Sequence, residues 1–259
     1  MMNLATYLEN PQNKRKLQDR ALNTQFQNIS ILTPTWNRNK FLKLYAFNLK
    51  MTNYPKEHLE VVIDDDGSEP FIPDVKEFEE YTGIRCKYLR YTKKRSIGEK
   101  RNNLVKNATH KIVCFMDDDD IYTEEYIRYS YGELKKIKGQ SKIVGSNQMV
   151  FVYPEHNWKM TYINCSKKFQ MHEATMMMTK KYWKSMRGFK DSSKGEGADL
   201  IQLQDKNVGM TECIRCMCCL AHDANTISKD MFLDAHQIGE GDTFKGEQRK
   251  IIKEILNIK

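Results

Sequence analysis

Apolar residues fall in short runs closed by polar or acidic clusters, and these runs alternate with stretches of helical spacing. Ile29-Ser30-Ile31-Leu32-Thr33 is a β-rich run stopped by Pro34, which predicts a first buried strand. From Lys40 onward, Phe41, Leu44, Tyr45, Leu49 and Met51 recur at near-helical spacing until Asn53-Tyr54-Pro55 ends the helix. The next strand spans 59–63 and ends in Asp64-Asp65-Asp66-Gly67-Ser68. A polar helix over about 73–82 leads to a strand over 87–91. A basic helix over 97–107 feeds the strand 112–116, closed by Asp117-Asp118-Asp119-Asp120. This alternation predicts a doubly wound, mostly parallel α/β sheet.

The second half is less regular. The pattern predicts a helix over 124–137, strands over 142–153 and 156–164 joined at Pro154-Glu155, and a strand over 174–179. A helix over 181–186, a turn at Gly188, a helix from about Ala198 and a strand over 212–220 follow. Such an antiparallel addition offers a face for a second substrate. The polar stretch 190–195 reads as a closing segment.

Two strands therefore end in acid clusters, and in a parallel sheet both ends face one crevice. Like charges packed so closely need a cation or a hydrogen-bond network. A hard divalent ion, Mg²⁺ or Mn²⁺, takes such oxygens and shares them with substrate phosphates. Solvated loop caps are the bland alternative. A calcium loop does not fit, because Glu69 and Tyr122 stand where its sixth-position glycine belongs.

Composition narrows the partners only a little. The 259 residues suffice for one core, 40% hydrophobic and 29% charged residues suit a globular protein, and a formal charge of +8 favours anions. Between positions 87 and 111 stand nine Lys or Arg and one acid, Glu99. A solvated helix face, a nucleic-acid surface with Tyr88 and Tyr91, or support for a diphosphate by Lys100, Arg101 and Asn102 all fit. No apolar run has the length of a membrane span, so a soluble protein without integral membrane contact is expected. Seven irregularly spaced cysteines point to reduced thiols in the cytoplasm. Cys213-x-x-Cys216-x-Cys218-Cys219 lacks a second metal-type pair and alternates faces, which favours buried thiols over zinc.

These segments resemble the family 2 glycosyltransferases. Residues 29–38, Ile-Ser-Ile-Leu-Thr-Pro-Thr-Trp-Asn-Arg, look like the family's opening strand, and Val62-Ile63-Asp64-Asp65-Asp66-Gly67-Ser68 resembles its Val-Val-Asp-Asp-Gly-Ser tip. Gly98 with Lys100-Arg101-Asn102-Asn103 is similar to its Gly…Ala-Arg-Asn segment, and 115–120 to Phe-Leu-Asp-Ala-Asp-Asp. Arg187-Gly188-Phe189-Lys190-Asp191 is similar to Gly-Gly-Phe-Asp-Glu.

The resemblance implies a GT-A fold, a Rossmann-like mixed sheet flanked by helices with an antiparallel acceptor-side addition. It implies an extension over 1–28, a nucleotide-sugar and metal half over 29–125, and an acceptor and catalytic-base half of the same domain over 126–259. By position, Thr33 or Pro34 and Asp66 hold the base, and Arg101 lies near the nucleotide. Asp117 and Asp118 touch the ribose or the metal shell, and Asp119 ligates Mg²⁺ or Mn²⁺. Asp120 either caps the next helix or joins them. His222 is a candidate late metal ligand or phosphate contact, against a purely structural role. The family's base sits in a Glu-Asp pair; here that segment is Gly195-Glu196-Gly197-Ala198-Asp199-Leu200, with Gly197 in place of the Asp. Glu196 is then the expected base and Asp199 the reserve.

The implied activity is metal-dependent, inverting transfer from a nucleotide-sugar, a UDP-sugar by expectation, to a hydroxyl of a glycan, lipid or protein. One alternative is a nucleotidyltransferase acting on a sugar phosphate, although Pro34-Thr35-Trp36-Asn37-Arg38 is not the Gly- and Arg-rich loop that chemistry uses. The other is a basic nucleic-acid-binding protein on a degenerate scaffold, for which Gly197 leaves room; stable nucleic-acid binding is not the expectation.

Overall fold

The runs that looked like buried strands do form one sheet. The structure, a computed structural model, describes residues 26–165, 170–201, 205–241 and 246–258; most of the expected extension over 1–28 lies outside them. Strands β1 (Ile29–Thr35), β2 (Leu59–Asp65), β3 (Arg85–Arg90) and β4 (Ile112–Phe115) are parallel. They are joined by α1 (Leu42–Met51), α2 (Val75–Thr82) and α3 (Ile97–Asn107). Ile31, Leu32, Val62, Ile63, Val113 and Phe115 are fully buried, as strands covered on both faces require. The spatial order is β4-β1-β2-β3. Winding therefore reverses between β1 and β4, and a crevice opens at their carboxyl ends, where open α/β sheets bind ligands.

The second half extends this sheet and adds another. After β5 (Ile121–Tyr122) and α4 (Tyr126–Lys136) come β6 (Ile143–Gly145), β7 (Gln148–Tyr153), β8 (Lys159–Asn164) and β9 (Met177–Thr179). Then follow α5 (Lys180–Ser185), β10 (Val208–Met210), β11 (Met217–Leu220), β12 (His236–Gly239) and α6 (Gly246–Leu256). β9 runs antiparallel to both β4 and β6, giving the order β10-β6-β9-β4-β1-β2-β3. The other sheet is β12-β8-β7-β11-β5. β7 and β8 form the expected hairpin, but its turn runs over 154–158 and β8 begins at Lys159 rather than at 156.

Several elements differ from the sequence reading, each for a local reason. The strand expected over 142–153 breaks at Ser146, whose N–H donates to Thr175 Oγ1 at 2.8 Å and whose carbonyl accepts from His172 N at 2.8 Å. The chain thus leaves the first sheet and enters the second. The strand expected over 174–179 opens with a 3-10 turn, Glu173–Thr175. That expected over 212–220 starts with the turn Cys213–Arg215, where Arg215 reaches both oxygens of Glu125 at 3.1 and 2.8 Å. The helix expected from Ala198 is one 3-10 turn, Ala198–Leu200. None of the seven cysteines is bridged, and Cys213, Cys216, Cys218 and Cys219 are buried. Among the described residues no helix is long and apolar enough to cross a membrane.

Helix α3 is the element that positions the site, and its start is fixed twice. Ser96 accepts from Glu99 N–H and the Glu99 side chain accepts from Ser96 N–H, a capping box whose loss costs about 1 kcal/mol. The polar stretch after Phe189 also lies across its first turn. Gly98 N donates to Ser192 O at 2.9 Å, Ile97 N to Ser193 Oγ at 3.2 Å and Ser96 Oγ to Asp191 Oδ1 at 2.5 Å. A Cβ on Gly98 would stand 1.7 Å from Lys190 O. The Gly98→Ala variant therefore lifts this strap and loses about 1–3 kcal/mol. Thermal denaturation should show the loss, with new proteolytic cleavage within 190–195; an unchanged midpoint and digestion pattern would contradict the packing.

Candidate active site

The β2 tip spends its three acids on different partners. Asp65 accepts from Gly67 N and Phe71 N, both at 2.8 Å, from Tyr88 Oη at 2.5 Å and from Arg90 Nη1 at 2.7 Å. Burial pushes its pKa up, but these donors outweigh burial and hold it below the usual value. Asp65 thus builds the turn. Asp64 accepts from Asn103 Nδ2 at 2.7 Å and pairs with Arg95. Asp66 accepts from Arg95 N at 2.6 Å and pairs with Lys100, whose Nζ also donates to Thr35 O at 2.7 Å. Both Asp66 oxygens therefore already have donors. Thr33 is fully buried and donates to Met116 O at 2.7 Å, tying β1 to the β4 tip. Pro34 is the partly exposed member of that pair.

The β4 tip sorts its four acids by burial and charge. Asp117 Oδ1 lies 3.3 Å from Arg101 Nη2. Asp118 is buried, and its Oδ2 has no hydrogen-bond partner among the described residues. Asp119 Oδ2 lies 3.2 Å from His222 Nε2 and 3.4 Å from Arg38 Nη2. Asp120 caps no helix; it accepts from Leu220 N at 3.0 Å and fixes the end of β11. Burial, then the Asp119 charge, pushes Asp118 and Asp120 well above the carboxylate range. Burial pushes Asp119 the same way, but the His222 hydrogen bond and charge and Arg38 hold it low. Asp119 is the one acid of the run held below its ordinary value.

Asp119 and His222 form a two-residue half-site, and no group of three metal-type ligands occurs among the described residues. A hard divalent cation fits there when substrate phosphates and water complete its shell. His222 Nδ1 accepts from Ala224 N–H at 3.1 Å, and its Nε2, facing Asp119, also lies 2.8 Å from Asn225 Nδ2. The His222 ring packs on Phe41 at 4.4 Å between centroids. A cavity of about 470 Å³ borders His222, lined also by Lys40, His156, Asp223 and Lys229, and includes none of Asp117–Asp120.

Across the crevice Arg101, 4% exposed, joins the two halves of the site. Its Nε donates to Glu196 Oε1 at 3.0 Å, and its guanidinium lies over the Phe115 ring at 4.8 Å. Burial opposes its charge, but Asp117, Glu196 and Glu173 outweigh burial and keep it firmly protonated. Asp199 pairs instead with Lys190 at 2.9 Å on the strap. Four further residues enter that sequence reading did not assign: Arg38 on Asp119, Arg95 on Asp64, Glu173 beside Arg101, and Lys229, whose charge acts on Asp119 and Asp120. For Glu173 there was a signal, an acid next to His172 just before the apolar run Ala174–Met178.

Comparison with known proteins bears on the family and the fold. The model of "Glycosyl transferase family 2" matches residues 30–190, more than half of the chain. The poly(ribitol-phosphate) β-N-acetylglucosaminyltransferase TarS of Staphylococcus aureus is 28% identical over 101 residues, which is 39% of this chain and 18% of TarS. The chain thus matches under a fifth of that relative's length. The crystal structure of TarS 1–349 with UDP-GlcNAc superposes with a TM-score of 0.62 at 16% identity, covering 90% of this chain and 71% of that one. The mannosyltransferase PcManGT of Pyrobaculum calidifontis, with GDP-Man and Mn²⁺, gives 0.58 at 15% identity, covering 88% and 68%. Strand-tip motifs, crevice and family match agree: the fold is GT-A, and the chain belongs to glycosyl transferase family 2.

Proposed function

We propose that this protein transfers a sugar from a nucleotide-sugar, a UDP-sugar such as UDP-GlcNAc, to an acceptor hydroxyl on a glycan, lipid or protein. The observation that carries this reading is the meeting of Asp119, His222 and Arg38 at the β4 tip, in the crevice where the sheet reverses its winding. The UDP-GlcNAc bound by TarS 1–349 supports the donor class. Membership in family 2 favours sugar transfer over nucleotidyl transfer or nucleic-acid binding.

In this reading Pro34 and Asp66 border the base, and Asp117 and Asp118 approach the ribose. Lys100 and Arg95 hold Asp66 and Asp64 rigidly, so the pocket keeps its shape without substrate. Asp119 and His222 would hold Mn²⁺ or Mg²⁺, and such a cation would offset the charge of the departing diphosphate. Arg38 and Lys229 add positive charge on the same side. The acceptor oxygen attacks the anomeric carbon from the opposite face, which inverts the configuration. A carboxylate of the Glu173–Glu196 pair takes its proton.

Incubation with UDP-GlcNAc and Mn²⁺, followed by chromatography, should show slow release of free UDP as water stands in for the acceptor. Release from GDP- or dTDP-sugars alone would reassign the donor. Intact donor with every nucleotide-sugar tried would contradict the transferase reading.

A further inference from the structure

Glu196 and Glu173 face the same guanidinium, and they are not equivalent. Glu196 is 5% exposed and accepts from Arg101 Nε at 3.0 Å, while Arg101 in turn holds Asp117. Glu196 is thus committed as counter-charge to Arg101 in a dry site. Glu173 is partly open to solvent. Its Oε1 accepts from Gly197 N–H at 3.2 Å. A Cβ at position 197 would lie 2.8 Å from Glu173 Cγ and 2.9 Å from Oε1. The room that a side chain at 197 would need is therefore filled by the Glu173 carboxyl, delivered from the turn that precedes β9. The absence of a side chain at 197 is what admits it.

Building on the proposed transferase activity, the geometry points to Glu173 as the catalytic base and to Glu196 as a positioning residue that holds Arg101. In the step, the acceptor O–H proton passes to a Glu173 oxygen as the acceptor oxygen bonds to the anomeric carbon. The bond from that carbon to the diphosphate oxygen breaks, and its electron pair leaves with the nucleoside diphosphate. Solvent then removes the proton from Glu173. Burial, then the Glu196 charge, raises the Glu173 carboxyl to about 6, partly offset by Arg101. A base so tuned is ionised at neutral pH yet binds a proton more readily than an ordinary carboxylate.

The test compares Glu173→Gln with Glu196→Gln in the full chain, with donor binding followed by calorimetry and turnover by nucleoside diphosphate release. Glu173→Gln keeps the shape and the acceptor for Gly197 N–H. It should bind donor within about threefold of wild type, while kcat falls by about 10²–10⁴-fold. Wild-type kcat should fall as pH drops through about 6, with Arg101 and Glu196 the charged groups facing the titrating carboxyl. That limb should vanish in the variant. Azide, a nucleophile with no proton to remove, should be converted to glycosyl azide by both proteins at similar rates. Glu196→Gln should instead weaken folding and donor binding together through Arg101. A Glu173→Gln protein that binds donor and keeps wild-type kcat, or that loses azide and water turnover alike, would overturn the assignment. Wild type that neither binds nor turns over any donor would sink the transferase reading itself, a separate outcome.

Discussion

Arg101→Leu should lower stability by about 3–5 kcal/mol, the usual cost of removing one partner from a buried ion pair. Arg101 stands between Asp117 and Glu196 and is itself nearly inaccessible, so no solvent replaces the lost charge. Against a total of roughly 5–15 kcal/mol, that is about a fifth or more of the whole. The thermal midpoint should drop on the order of 10 °C. The deficit should also depend on pH. A carboxyl whose folded-state pKa is raised above its unfolded value costs stability at high pH and stops costing it once protonated. Burial already raises Asp117 and Glu173 in the native protein, and removing Arg101 raises both further. The variant should therefore sit closer to wild type near about pH 5 than near about pH 8. Arg101→Lys should recover only part of the loss, because one ammonium does not reproduce the guanidinium fork. A Leu variant that melts within about 2 °C of wild type would contradict the network.

The second large effect is expected at Asp119. Replacing it by Asn keeps size and hydrogen bonding but removes the one acid of the run that is held low by His222 and Arg38. Metal-stimulated nucleotide binding should fall by at least about 100-fold, since even residues that merely support a metal ligand cost 10–100-fold. Folding should survive, because Asn relieves the repulsion that Asp119 exerts on Asp118 and Asp120. Asp120→Ala, which removes the acceptor, should do the reverse. It leaves nucleotide binding near wild type and weakens the anchor at the end of β11, where its carboxylate accepts from Leu220 N. Circular dichroism melts and nucleotide titrations on the two variants separate these roles.

Much of the first half was legible because its strands are apolar runs with polar or acidic stops, and buried parallel strands have little other way to be written. The tips of β2 and β4 and helix α3 came directly from that pattern. The second half hid more. Strand pairing there switches between sheets at Ser146 and at Arg215, and both breaks are made by side-chain partners distant in sequence, Thr175 and Glu125. No local pattern announces such partners. Helix α6 was readable and missed: Ile251, Ile252, Ile255 and Leu256 recur at helical spacing, and the helix docks on α1 through Gln248–Asn48 and Lys43–Glu254. At the site, the sequence located the acids but not their occupations. Asp65 proved to be a turn builder and Asp120 a strand anchor. Glu173 came from 23 residues before Glu196, a proximity created by β9 pairing with β4.

The central claim, a nucleotide-sugar donor site at the β1–β4 crevice, is tested most directly by calorimetric titration of wild type with UDP, GDP, dTDP and UDP-GlcNAc, each with and without Mn²⁺. One nucleotide, UDP by this account, should bind in preference to the others, and Mn²⁺ should tighten it. No binding of any nucleotide under either condition would contradict the account.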